Sequence, residues 1–236
     1  EIKYDGKYCL VDDLDSVPSP YTDEMLGSLG NRIVYYEASR GCPFSCSYCI
    51  SSTFEGVRYF SPDRVKNDIR RLIDAGVNQV KFVDRTFNAN KKRAKEIIRY
   101  IIENSRNAGN EDGKDNGNDS SRYNGKCNSK LNGKAGKKTN HKAGSKLDGK
   151  TDGKSRSGTC FHFEAAGDLF DDEMLEILAG AEEGLIQFEI GVQSVNEKTL
   201  KEINRKTDIE KIFKNVNRLK SFGNIHLHLD LIAGLP

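Results

Sequence analysis

From Ile33 to the end of the chain, short β-type runs alternate with amphipathic helical segments, and this alternation constrains the fold more than any other feature. Strands separated by helical stretches are joined by crossovers and lie parallel, which leaves an open doubly wound sheet or a (β/α) barrel. The runs are "IVYYEAS" (33–39), "VNQVKFVD" (77–84), "CFHFEAAG" (160–167), "LIQFEIGVQS" (185–194) and "IHLHLDLIAG" (225–234). After the first, Ser61 suits a helix cap, Pro62 suits the first helical position, and Val65, Ile69, Leu72 and Ile73 share one face. In "NKKRAKEIIRYIIEN", Ala94, Ile97, Ile98, Ile101 and Ile102 repeat at helical spacing. Asp171 and Asp172 open a third helix, and Thr207 with Glu210 has the spacing of a capping box.

The last three strands discriminate between the two folds. Both faces of a doubly wound sheet are covered by helices and read as apolar, whereas a barrel lumen that takes a ligand can be polar. Phe161, Phe163 and Ala165 oppose His162 and Glu164. Ile186, Phe188, Ile190 and Val192 oppose Gln187, Glu189, Gly191 and Gln193, and Leu227, Leu229 and Leu231 oppose His226, His228 and Asp230. An antiparallel sheet with one wet side shows the same alternation, but the intervening helices argue against hairpins. The pattern predicts an α/β partial (β/α) barrel with a polar cavity.

Residues 105–158 break every periodicity. Asn-Gly-Lys and Asp-Gly-Lys triplets recur there, and 13 Lys/Arg against 6 Asp/Glu give a net charge of +7, which leaves −5 on the rest of a chain whose total is +2. Such a segment buries too little apolar surface to fold, so it is expected to be a disordered insertion. It lacks the interleaved aromatics that stack on bases, which favours a solvated loop over nucleic-acid binding. No apolar run of membrane-spanning length and no signal-peptide layout is present, so a cytoplasmic protein is expected. In that compartment the six cysteines point to a metal site rather than a disulfide framework.

"GCPFSCSYCIS" places Cys42, Cys46 and Cys49 in one loop after the first strand, the carboxyl end where βα barrels carry their chemistry. Soft thiolates suit zinc or an iron–sulfur cluster. A structural zinc site takes a fourth ligand, commonly from a second Cys/His pair, whereas Cys9, Cys127 and Cys160 stand isolated. A 4Fe-4S cluster held by three cysteines instead keeps one iron open for a ligand. Cys-x-x-x-Cys-x-x-Cys with Tyr48 before the third cysteine resembles the signature of the radical S-adenosylmethionine (SAM) enzymes.

That resemblance implies a partial (β/α) barrel, here truncated after the fifth strand, with a 4Fe-4S cluster on Cys42, Cys46 and Cys49. Similarity to the oxygen-independent coproporphyrinogen oxidase branch implies that Glu164 and Arg205 hold the methionine part of SAM and that Gln193 and Asp230 contact its ribose. Tyr48 joins this cofactor-binding set. The family's chemistry is reductive cleavage of SAM to a 5′-deoxyadenosyl radical, with electrons from a donor such as a ferredoxin or flavodoxin. Two features depart from the pattern. "VDRTFN" (83–88) stands where the fold usually has a glycine-rich turn, and Thr207 stands where this branch often has histidine. "LDSVPSPYTDE…YYEASRGCPFSCSYC" resembles the junction downstream of a cobalamin-binding domain, which implies a methyltransferase-like reaction and makes residues 1–30 an arm or interdomain linker ahead of a core at 31–236. Methylthio transfer and oxidative decarboxylation stay open. The rival class is a non-catalytic iron–sulfur electron-transfer or sensor module, with a cluster closed by a fourth protein ligand. His162, His226 and His228 are substrate contacts, proton donors or hydrogen-bonded lining residues, and Lys81 and Arg85 have no place from sequence.

Overall fold

The computed structural model describes residues 10–29, 32–53, 56–107 and 158–236. Its strands are β1 (Ile33–Tyr36), β2 (Ser39–Gly41), β3 (Val57–Tyr59), β4 (Gln79–Phe82), β5 (Cys160–Ala165), β6 (Ile186–Gln193) and β7 (His226–Leu231). The helices are α1 (Asp23–Ser28), α2 (Pro62–Asp74), α3 (Lys91–Asn107), α4 (Asp172–Ala179), α5 (Glu197–Glu202) and α6 (Ile209–Phe222). Five strands form one parallel sheet in the order β1-β4-β5-β6-β7, and β2 pairs with β3 in a separate antiparallel ribbon.

Helix starts follow the residues that can cap them. Ser61 Oγ accepts from the Arg64 amide with Pro62 next in line, and Asp171 accepts from Met174. The capping box expected at Thr207 and Glu210 is not formed; Asp208 caps α6 by accepting from the Lys211 amide at 2.9 Å. An Asp carboxylate one position closer to the helix is the better acceptor for its free amides. Residues 105–107 belong to α3, whereas residues 108–157 of the expected insertion, with Cys127, lie outside the described residues, as does Cys9. Cys160 is disulfide-bonded, which corrects the expectation that it stands isolated.

One face of the sheet carries the core. Val34, Tyr36, Val80, Phe82, Phe161, Phe163, Ile186, Phe188 and Ile190 are buried against the apolar stripes of α2, α3, α4 and α6. Phe82, Phe163 and Phe188 form a ladder with centroids 4.5 and 5.7 Å apart. Full burial of each such side chain contributes about 1.5–3 kcal/mol. The opposite face is the polar one. Register places Tyr35, Lys81, His162, Gln187 and His226 at one level across all five strands, with Glu164, Glu189 and His228 at the next level up. Residues 10–29 pack on the body: Leu14 and Leu26 are buried, and Arg64 donates to the carbonyls of Asp15 and Val17.

Candidate active site

The cysteine loop is the connection of the β2–β3 ribbon at the carboxyl end of β1. Gly41 ends β2 at φ 104°, and a Cβ there would lie 2.2 Å from the carbonyl oxygen of Gly56, so only glycine lets the strands close. Downstream, the Cys49 amide donates to the Cys46 carbonyl at 3.1 Å, and the Ser52 amide and hydroxyl both donate to the Cys49 carbonyl. This half of the loop is docked on the α5–α6 connection. The Ser47 amide donates to the Ile203 carbonyl at 2.9 Å, and Asn204, at φ 54°, donates to the Ser45 carbonyl and hydroxyl at 3.0 and 2.8 Å. Arg205 lies over the Phe44 ring at 4.0 Å, with Nη1 3.8 Å from Cys46 Sγ and Nη2 3.3 Å from the Gly191 carbonyl. Cys42 Sγ is 3.7 Å from Thr86 Oγ1. All three cysteines are free thiols, and Cys46 is buried.

Beside this loop the strand ends enclose a cavity of about 160 Å³. Glu164, Gln193, Arg205 and Asp230 all line it, and Arg85 and Glu189 join them. Tyr48 does not: it is 43% exposed on the loop, its phenol held above its usual range first by burial and then by Cys46. Gln193 takes φ 69° at a β6 irregularity, and its Nε2 folds back over Gly191, where a Cβ would lie only 2.1 Å away. The Ile232 amide, donating to the Gln193 carbonyl at 2.9 Å, fixes that turn.

The cavity holds charges of both signs. Burial and then the charge of Glu189 raise the Glu164 carboxyl, and the same two causes raise Asp230. Glu189 is lowered: burial opposes ionisation, but Lys81 Nζ at 3.5 Å and His162 Nε2 at 3.1 Å prevail. Burial, reinforced by Lys81, lowers His162. His162 thus supports Glu189 from behind. His226 and His228 stack edge-to-face at 4.6 Å on β7.

For the segment after β4 the sequence shows the missing glycine-rich turn but assigns its residues no role. Asp84, Thr86 and Asn88 are all buried, and they bond in turn to the base of the cysteine ribbon, to Cys42 and to the end of β5. Alternating polar residues in a turn are ordinarily solvated, so only their burial marks them.

The donor set fits an open cluster. Cys42, Cys46 and Cys49 are three free thiols within one loop, the soft donors that a cluster takes. A cubane offers a separate iron to each thiolate. Arg205 Nε is buried without a hydrogen-bond partner at the cavity wall, a donor suited to a carboxylate.

Fold and site together define a parallel α/β partial barrel with a three-thiol loop over a charged cavity at its carboxyl end. The family model described as "Radical SAM superfamily" matches residues 36–236, and the chain belongs to that superfamily. The family implies a 4Fe-4S cluster and SAM as cofactors. An uncharacterized methyltransferase of Pyrococcus horikoshii is 35% identical over 95 residues, which cover 37% of this chain and 21% of that protein. The hopanoid C-2 methylase of Rhodopseudomonas palustris is 30% identical over 74 residues, 30% of this chain and 14% of that protein. These matches therefore span about a fifth or less of those relatives' length. Among solved structures, the radical SAM methyltransferase TsrM from Kitasatospora setae, with cobalamin and a [4Fe-4S] cluster bound, superposes with TM-score 0.57 at 14% identity, covering 87% of this chain and 30% of that one. The cobalamin-dependent radical enzyme OxsB superposes with TM-score 0.58 at 16% identity, covering 96% and 28%. Both share the fold. Among the described residues no helix is long and apolar enough to cross a membrane.

Proposed function

We propose that this chain is the core of a methyltransferase-like radical SAM enzyme in which Cys42, Cys46 and Cys49 ligate a 4Fe-4S cluster. The observation that carries this is a loop of three free thiols, of which Cys42 touches Thr86 and Cys46 touches Arg205, beside a cavity whose wall combines Arg85 and Arg205 with Glu164, Glu189 and Asp230. Bound there, cluster and SAM supply one-electron cleavage of the sulfonium. Arg205, with its unpaired Nε, takes the carboxylate of the methionine portion and Glu164 its ammonium; Gln193 and Asp230 receive the ribose hydroxyls. Tyr48 shields Cys46 from the solvent side. Glu189, held ionised by Lys81 and His162, faces the remaining lumen, where the substrate lies.

The methyl-transfer part is supported by the likeness to the P. horikoshii methyltransferase and the R. palustris hopanoid methylase, and by two structural neighbours, one with cobalamin bound and one described as cobalamin-dependent. It implies a cobalamin-binding domain upstream of the 1–30 arm and, with the radical chemistry, a ferredoxin or flavodoxin as electron donor. A cytoplasmic setting is part of this reading. The test is anaerobic incubation of the full-length protein, with its upstream domain, with SAM and a low-potential reductant, with and without added cobalamin, read by mass spectrometry. S-adenosylhomocysteine that appears only with cobalamin is expected. 5′-Deoxyadenosine alone under both conditions would remove the methyl-transfer part, and neither product would remove the radical reaction as well.

A further inference from the structure

One buried charge takes no part in this chemistry. Asp84, 2% exposed, directly follows Val83 at the end of β4; its Oδ2 accepts from the Ala38 amide at 2.9 Å and its Oδ1 accepts from the Ser39 hydroxyl. Ser39 opens β2, three residues ahead of Cys42. The Ala38 carbonyl accepts from Arg93 Nη2 at 3.3 Å and from the Phe60 amide at 3.1 Å, so both polar backbone groups of Ala38 are held. Two residues on from Asp84, Thr86 touches Cys42. Asn88, fully buried, exchanges two 2.9 Å hydrogen bonds with the backbone of Ala166, at the end of β5.

The ribbon needs such a tie. β2 and β3 have three residues each and pair only with one another, outside the main sheet. A two-stranded ribbon of that length is marginal by itself. Cys46 and Cys49 are anchored through Ser45 and Ser47 to the α5–α6 connection, whereas Cys42 sits on the other side of the loop, next to the ribbon base. Nor is stability alone a reason for a carboxylate here. Burial pushes Asp84 up to about 6 even though the two donors and Arg93 favour its ionised form. At neutral pH the charge therefore costs the fold free energy that a neutral residue of the same shape would not.

We propose that Asp84 is a positioning residue that locks the cysteine ribbon to the cavity wall and so fixes the Cys42 thiolate relative to Arg85 and Thr86. This rests on Cys42 being a cluster ligand, as proposed above.

The test uses the iron-free, reduced chain as wild type, Asp84→Ala, Asp84→Asn and Ser39→Ala. Iodoacetamide alkylation is followed at each cysteine by mass spectrometry, with thermal midpoints measured on the same samples. In Asp84→Ala, Cys42 is expected to react about tenfold faster, as for the loss of one charged hydrogen bond, while Cys49 stays at the wild-type rate. Asp84→Asn, whose amide accepts from Ala38 and donates to Ser39, is expected to keep the wild-type Cys42 rate. After cluster reconstitution, Asp84→Ala is expected to lose iron to a chelator about tenfold faster, as for other residues that orient metal ligands. An unchanged Cys42 rate in folded Asp84→Ala, or a rise shared equally by all three cysteines, would overturn the proposal. If Asp84→Ala does not fold, Ser39→Ala removes one of the two bonds, with a smaller Cys42-specific rise expected; no rise there overturns it equally. The wild-type cluster's response to SAM is a separate arm: its absence removes the function proposed above and leaves the alkylation result standing.

Discussion

Gly191 and Gln193 show how a missing side chain shapes the cavity. The Gln193 amide occupies the space where a Cβ at position 191 would be, and that amide is the end of a flexible side chain. Gly191→Ala should therefore leave the strand in place and swing Gln193 out. The expected outcome is a SAM dissociation constant about tenfold higher, the equivalent of one lost hydrogen bond, with the thermal midpoint nearly unchanged; calorimetry on reconstituted protein measures it, and an unchanged constant would remove Gln193 from the SAM contacts. Asp84 carries a second expectation, this time in pH. Its folded value of about 6 stands above the ordinary 3.8, so the fold prefers the protonated form. That contribution is complete below the ordinary value and is lost as pH rises through 6. Glu37 works with burial to raise it and Arg93 works against them, with Tyr36 and Tyr59 nearby. Asp84→Asn stays neutral, so its stability relative to wild type should grow between about pH 4 and 7.5, by at most about 3 kcal/mol. Urea denaturation at the two pH values checks this; a constant difference would contradict it. At this scale the sequence was unevenly legible. Glu164, Gln193 and Asp230 could be placed because strand alternation puts them on the lumen face, whereas nothing local distinguishes Asp84 from a solvated turn residue until Ala38 and Ser39 fold over it.

Among the elements, the long ones were readable and the short ones were not. α2 and α3 announce themselves by four or five apolar residues at helical spacing, all buried. The ribbon strands "SRG" and "VRY" are too short to show a period, and their pairing depends on Gly41, whose φ of 104° no residue pattern reveals. Gly41→Ala must move the Gly56 backbone or leave the ribbon unpaired. Strain of this kind costs about 1–3 kcal/mol, more than a three-residue ladder can absorb. Hydrogen exchange should show lost protection across β2 and β3 with β4, β5 and β6 unaffected; full protection of the ribbon would contradict the role given to Gly41. The start of α6 teaches a similar lesson. Thr207 and Asp208 are both acceptable caps in sequence, and in the fold Asp208 takes the capping position.

For the whole molecule, the sheet separates two environments with one pattern: phenylalanines and isoleucines toward the helices, ionisable groups toward the lumen. That division, visible in the alternation of three strands, made the barrel and the site side legible together. Substrate identity was not legible, because Lys81, His162, Glu189 and His228 form a polar wall without a residue code of its own. The central claim is that three thiols hold a cluster with an open iron that meets SAM. Electron paramagnetic resonance of the anaerobically reconstituted, reduced chain, with and without SAM and beside Cys46→Ser, tests it most directly. A 4Fe-4S signal that changes when SAM is added and is absent from the variant is expected. A cluster signal indifferent to SAM, as an electron-transfer module would give, or bound zinc with no cluster would contradict the claim.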